Sequence, residues 1–160
     1  MRSQSSEPRP ALDSDAEAVA DVWLRSRMSS VDSIPKPVHS DEEVRRWVGD
    51  TLVPNGGTWV VESEDGVIAM MTLEEDWIDQ LYVDPDHFNQ GAGTLLLDHA
   101  KRLYPNGLQL WTFQSNTRAR RFYEIHGFSS VEETAGCNEE GAPDVRYRWD
   151  GASNGLRESP

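Results

Sequence analysis

Cysteine is nearly absent: Cys137 is the only one in 160 residues. A lone thiol closes no internal disulfide and builds no multi-thiolate metal centre, and it points to a reducing, cytoplasmic setting. Long hydrophobic runs are missing as well. No stretch approaches the ~18 apolar residues of a membrane span, and the opening MRSQSSEPRP lacks the apolar segment of a secretory leader. Cations are scarce: fifteen Lys and Arg stand against twenty-eight Asp and Glu, a net charge of −13. That balance argues against a nucleic-acid-binding face and against docking on an anionic membrane, and it favours a cationic partner.

What is present is enough for one globular domain. Hydrophobic residues make up 37% of the chain, with six Trp, four Tyr and four Phe to fill a core. Residues 1–10 and 151–160, rich in Ser, Pro, Arg and Gly, read as loose tails around a single domain over 11–150. The charge is uneven. Seven acids and no Lys or Arg lie between Glu62 and Asp79, whereas Arg118, Arg120 and Arg121 cluster together. Two ligands of opposite sign would fit that division. The four histidines show no ligand spacing, so no metal is expected.

Local signals order the elements. Ser14 with Glu17 and Ser40 with Glu43 are capping-box pairs that predict two early helices, separated by the helix-breaking Ile34-Pro35-Lys36-Pro37. Strands are expected over 59–61 and 67–73, joined by the turn Glu64-Asp65-Gly66, and over 77–83, stopped by Asp84-Pro85. Helix, strand, helix and strand follow. Asn116 is the expected cap of the second of these helices and Gly127 its stop. A last strand alternates Val145, Tyr147 and Trp149 with Arg146 and Arg148. The fold class is α/β (α+β), with an antiparallel first half leading into β-α-β-α-β.

The most informative stretch runs from Leu81 to Leu96. A strand ends, small residues turn the chain, and an amphipathic helix starts on Gly91-Ala92-Gly93. First-turn N–H groups have no helical acceptor, and their partial positive charge suits a phosphate. A Walker A loop is excluded, because no Gly-Lys-Ser/Thr follows, and Leu96 breaks a G-x-G-x-x-G dinucleotide turn.

Asn89-Gln90-Gly91-Ala92-Gly93 after Leu81-Tyr82-Val83-Asp84-Pro85 resembles the acyl-CoA signature of the GNAT N-acetyltransferase superfamily. Asn116-Thr117-Arg118-Ala119-Arg120-Arg121-Phe122-Tyr123 with Gly127-Phe128 resembles that family's second hallmark, N-x-x-A-x-x-F-Y-x-x-x-G-F. The resemblance implies a mostly antiparallel sheet flanked by helices and splayed at the acyl-CoA site. It implies acetyl-CoA as co-substrate, with the backbone of Leu81, Tyr82 and Val83 pairing with pantetheine amides. Asn89, Gln90, Gly91, Ala92, Gly93 and Thr94 would receive the pyrophosphate, and Asn116 and Arg120 are further cofactor candidates. The family commonly places Arg or Gln three residues before the first glycine. Phe88 stands there in this chain, which leaves the phosphates to backbone amides.

Tyr123 takes the family's position for the general acid beside the cofactor sulfur. For the base, strand alternation would put Glu75, Trp77, Asp79, Leu81 and Val83 on one face, with Asp79 preferred and Glu75 second. Trp23, Trp47 and Trp77 are candidates to line an acceptor pocket. The expected reaction is direct acetyl transfer to a primary amine, first of all on a small cationic molecule. A protein N-terminus or lysine is the rival acceptor, and a non-catalytic acyl-CoA-binding module is the reading from another class. A homodimer is left open.

Overall fold

The computed structural model describes residues 7–30, 32 and 34–151. Seven strands form one sheet: β1 (Arg9–Pro10), β2 (Thr58–Ser63), β3 (Gly66–Glu74), β4 (Trp77–Val83), β5 (Leu108–Phe113), β6 (Ser129–Thr134) and β7 (Asp144–Trp149). Four helices flank it: α1 (Ala16–Ser29), α2 (Asp41–Trp47), α3 (Ala92–Leu103) and α4 (Thr117–Ile125). The strand order is β1-β2-β3-β4-β5-β7-β6, antiparallel throughout except at β4–β5. The mixed, mostly antiparallel sheet is thus the one the resemblance implied.

β1 corrects the expected N-terminal tail at its end. Arg9 and Pro10 pair with Val60 and Trp59, and the Arg9 guanidinium holds Asp15 and Glu62, each at 2.8 Å. The rest of that tail that is described is Glu7 and Pro8, while residues 1–6 and 152–160 lie outside the described residues.

Strand alternation divides the core between the two sheet faces. Val60 and Met70 pack with Val19, Val22, Val44 and Val48 beneath α1 and α2, whereas Val61 and Met71 pack with Leu96, Leu97, Ala100 and Tyr147 beneath α3 and α4. Only one of the two capping boxes expected around serine forms. Ser40 Oγ accepts from Glu43 N at 3.1 Å while Ser40 N donates to Glu43 Oε1 at 3.0 Å. At α1 the chain enters through a 3-10 turn over Asp13–Asp15 instead, and Asp15 Oδ2 takes the Leu12 N–H at 2.7 Å.

Two features of β4 position the site. Its pairing with β5 is confined to Trp77↔Gln109, where Gln109 N donates to Asp76 O at 3.0 Å. Beyond that pivot the parallel strands separate. The register against β3 also shifts, from Thr72↔Gln80 to Leu73↔Ile78, so Asp79 is the extra residue of a β-bulge. Strict alternation therefore fails here. Ile78, Leu81 and Val83 all join the core under α3 and α4, while Tyr82 packs on Trp23 at 5.2 Å on the other face. The expectation that Trp77, Asp79 and Leu81 share a face is corrected by that bulge.

Candidate active site

The gap between β4 and β5 opens into a cleft of about 700 Å³. Residues 78–83 of β4 form one wall and residues 110–113 of β5 the other, with the turn before α3 and one side of α4 closing the far end. Ser26, Arg27, Ser30 and Ile34, at the end of α1 and in the following loop, border the opposite side of the sheet edge.

The α3 end is built for an anion. Gly91 sits at φ 90 as the N-cap of α3 and Asn89 at φ 64, so two left-handed residues swing the backbone into the helix. A Cβ on Gly91 would meet nothing within 4 Å, whereas one on Gly93 would come within 3.3 Å of Phe122 Cζ and 3.5 Å of Val83 Cγ2. Gly93 thus lets α3, α4 and β4 close on one another, while Gly91 leaves the cleft side open for a ligand. Thr94 lies in the first turn, and its Oγ1 is 3.1 Å from His126 Nε2. Phe122 O, 2.8 Å from His126 Nδ1, can only accept, so Nδ1 carries a proton, and in the neutral imidazole Thr94 donates to Nε2. Asp84 and Asp86, beside the turn, would repel a phosphate, but Arg25 reaches them at 3.1 and 2.7 Å. The free amides and the open glycine fit the phosphates of an acyl-CoA, with Arg25 offsetting part of the acidic charge beside them.

Asp79 lies in the cleft wall two residues past the Trp77 pivot, with its side chain open to solvent. Partial desolvation in the cleft is the largest cause that raises its carboxyl to about 6, and a hydrogen bond with Glu74 is the next. Glu75 occupies the β3–β4 turn at φ 53 and does not line the cleft, so the second carboxylate at Asp79 is Glu74. Strand alternation could not reveal this, because Glu75 is not in a strand.

Tyr123 enters from α4. Its ring is buried against Phe122, Phe128 and Tyr147, at 5.2, 5.6 and 6.4 Å between centroids, and it lines the cleft. Burial pushes its phenol well above the ordinary range, so it stays protonated at neutral pH. Its hydroxyl bonds to none of the described residues. Asn116 caps α4 by accepting from Ala119 N at 3.2 Å and faces the cleft.

The basic cluster is divided by helix geometry. Arg120 is corrected as a cofactor candidate: it donates to Tyr147 Oη at 3.0 Å and to Gln114 O at 3.2 Å, and it does not line the cleft. Arg118 and Arg121 line it instead, three residues apart on one helical face. That spacing was the signal available in the sequence. Leu81, Tyr82, Val83, Asn89, Ala92 and Gly93 also border the cleft, whereas Gln90 does not. Among the tryptophans the cleft is lined by Trp111 rather than by Trp23, Trp47 or Trp77. No group of three His, Cys, Asp or Glu that could hold a metal occurs among the described residues, and no described helix is long and apolar enough to cross a membrane.

Comparison with known proteins places this architecture. The family model of the acetyltransferase (GNAT) family matches residues 20–128. A peptidyl-lysine N-acetyltransferase of Salmonella typhimurium, YjaB, is 33% identical over 115 residues, covering 71% of this chain and 77% of its own. The peptidyl-lysine N-acetyltransferase YiaC of Escherichia coli is 24% identical over 131 residues, 78% of this chain and 84% of its own. Among solved structures, apo YjaB of Escherichia coli superposes with a TM-score of 0.74 at 23% identity, covering 95% of this chain and 100% of that one. The PaiA N-acetyltransferase of Thermoplasma acidophilum, solved with coenzyme A, gives 0.66 at 18% identity over 94% and 99% of the two chains.

Proposed function

The chain belongs to the acetyltransferase (GNAT) family and is an acetyl-CoA-dependent N-acetyltransferase, and from that premise we propose that its acceptor is a lysine ε-amine in a peptide or protein. The observation that carries the reading is Asp79, set by a β-bulge into the wall of the splayed cleft that Tyr123 also lines. The relatives' names favour a peptidyl lysine. The protein's net charge of −13 and the Asp79–Glu74 pair suit any cationic amine, so a small cationic molecule is the second reading.

Bound acetyl-CoA supplies an acetyl thioester. The diverging edge of β4 offers Leu81, Tyr82 and Val83 backbone groups to the pantetheine arm, as a strand would be added to a sheet. Asp79 accepts a proton from the acceptor ammonium, directly or through a water. An amine with an ordinary pKa of ~10.4 gives up a proton more readily to a carboxylate raised to about 6 than to one at its usual value. The freed amine attacks the thioester carbonyl, the C–S bond breaks, and the Tyr123 hydroxyl protonates the leaving sulfur. Cys137, exposed and away from the cleft lining, has no part in this direct transfer.

The test is transfer itself. Acetyl-CoA with a lysine-containing peptide should release free CoA thiol and leave an acetyl group on Nε, read by mass spectrometry. Thiol release with small polyamines and none with peptides would move the acceptor to the small-molecule class. Acetyl-CoA binding without transfer to either would leave a binding module.

A further inference from the structure

Phe88 and Arg118 come from distant parts of the chain, one in the turn before α3 and the other in the first turn of α4. The Arg118 guanidinium carbon lies 3.7 Å from the centroid of the Phe88 ring, over its face. Both residues line the cleft. We propose that Arg118, laid on Phe88 as on a shelf, is the side chain that binds a phosphate group of CoA at the α3 end of the cleft. The inference rests on the acetyltransferase reading and adds a positioning residue pair to it.

Three observations support the assignment. A guanidinium stacked on a ring uses its face for the contact and keeps its N–H donors free in the plane, where a phosphate is bound in bidentate fashion. The neighbouring cations are otherwise engaged: Arg25 holds Asp84 and Asp86, and Arg120 holds Tyr147 and Gln114. Arg118 makes no ion pair among the described residues, although acids abound in this chain. Finally, the donors beside it are of the same sign, since the first turns of α3 and α4 both open on this cleft. An anion placed between that cation and the two positive helix ends is attracted by all three. Arg121, one helical turn on, has no ring beneath it among the described residues.

Calorimetric titration with CoA tests this without turnover. Wild-type protein should bind CoA, and Arg118→Gln should weaken the Kd by about tenfold, the order expected for one charge-assisted hydrogen bond in a solvent-exposed setting. Phe88→Leu, which keeps apolar bulk and removes the π face, should weaken it about threefold, and the double variant should be no worse than Arg118→Gln alone. Titration with 3′-dephospho-CoA separates the two phosphate sources. A penalty that persists assigns Arg118 to the pyrophosphate, and one that vanishes assigns it to the 3′-phosphate. Melting temperatures within a degree or so of wild type show that the variants are folded. Wild-type Kd in folded Arg118→Gln overturns the proposal, as do penalties for Phe88→Leu and Arg118→Gln that simply add. If the wild-type chain itself fails to bind CoA, the acetyltransferase reading falls and this inference with it.

Discussion

Trp77 of β4 and Gln109 of β5 form the single register pair between the two parallel strands, and the cleft begins where that pair ends. Asp76 locks the pivot by accepting from Gln109 N at 3.0 Å and from its side-chain amide at 3.4 Å. From there β4 keeps its ladder with β3 but leaves its other edge unpaired. The unsatisfied groups of that edge are what a pantetheine amide can use.

Tyr123→Phe retains the buried ring and deletes only the hydroxyl, which bonds to none of the described residues. Stability should change little, and kcat should fall by roughly 10²–10⁴-fold, the contribution of a general acid. The Kd for acetyl-CoA should stay near wild type. Nearly full kcat would mean that water protonates the sulfur.

Asp79→Asn should abolish the acidic limb of the kcat/KM profile, which in the wild type should fall below about pH 6 as the base takes up its proton. Glu74→Gln removes the neighbouring anion, the smaller cause of that raised value. The limb should then move to lower pH, with activity persisting in more acid solution. Glu75→Gln, in the turn, should leave the profile unchanged. An unaltered limb in Asp79→Asn would assign the base to water.

Gly91 combines a left-handed φ with open space, so strain and charge can be separated there. Gly91→Gln and Gly91→Glu should both cost about 1–2 kcal/mol of stability from the backbone alone, read as a few degrees in melting temperature. Only the glutamate should abolish acetyl-CoA binding in calorimetry, because it sets an anion where a phosphate belongs. Equal affinities for the two variants would place the phosphate elsewhere.

Acidic steering predicts that kcat/KM for a lysine peptide falls as salt is raised from about 10 to 150 mM, over which the screening length shrinks from about 30 to 8 Å. A neutral amine acceptor should show no such fall. A flat response with the lysine peptide would remove long-range steering and leave the chemistry untouched.

By itself the sequence determined the order of the main elements from α1 onward and the place of the cofactor turn. Capping at Ser40 and Asn116, the Asp84-Pro85 stop, and the glycines at 91 and 93 act within a few residues of themselves, so they are legible without a fold. The strand expected over 77–83 coincides with β4 for the same reason. What required the tertiary structure depends on which strands and helices meet. The bulge at Asp79 exists only against the register of β3, and it shifts side-chain parity so that Ile78 rather than Trp77 joins the core with Leu81. The carboxylate beside Asp79 is Glu74 because the chain leaves β3 there, and Glu75 is carried into the turn at φ 53. Arg118 and Arg120 differ only in helical phase, yet one meets Phe88 and the other Tyr147. Local propensity fixes where a helix starts. Which ring or phenol lies across from each of its faces is decided by chain segments thirty residues away, through packing that no short window contains.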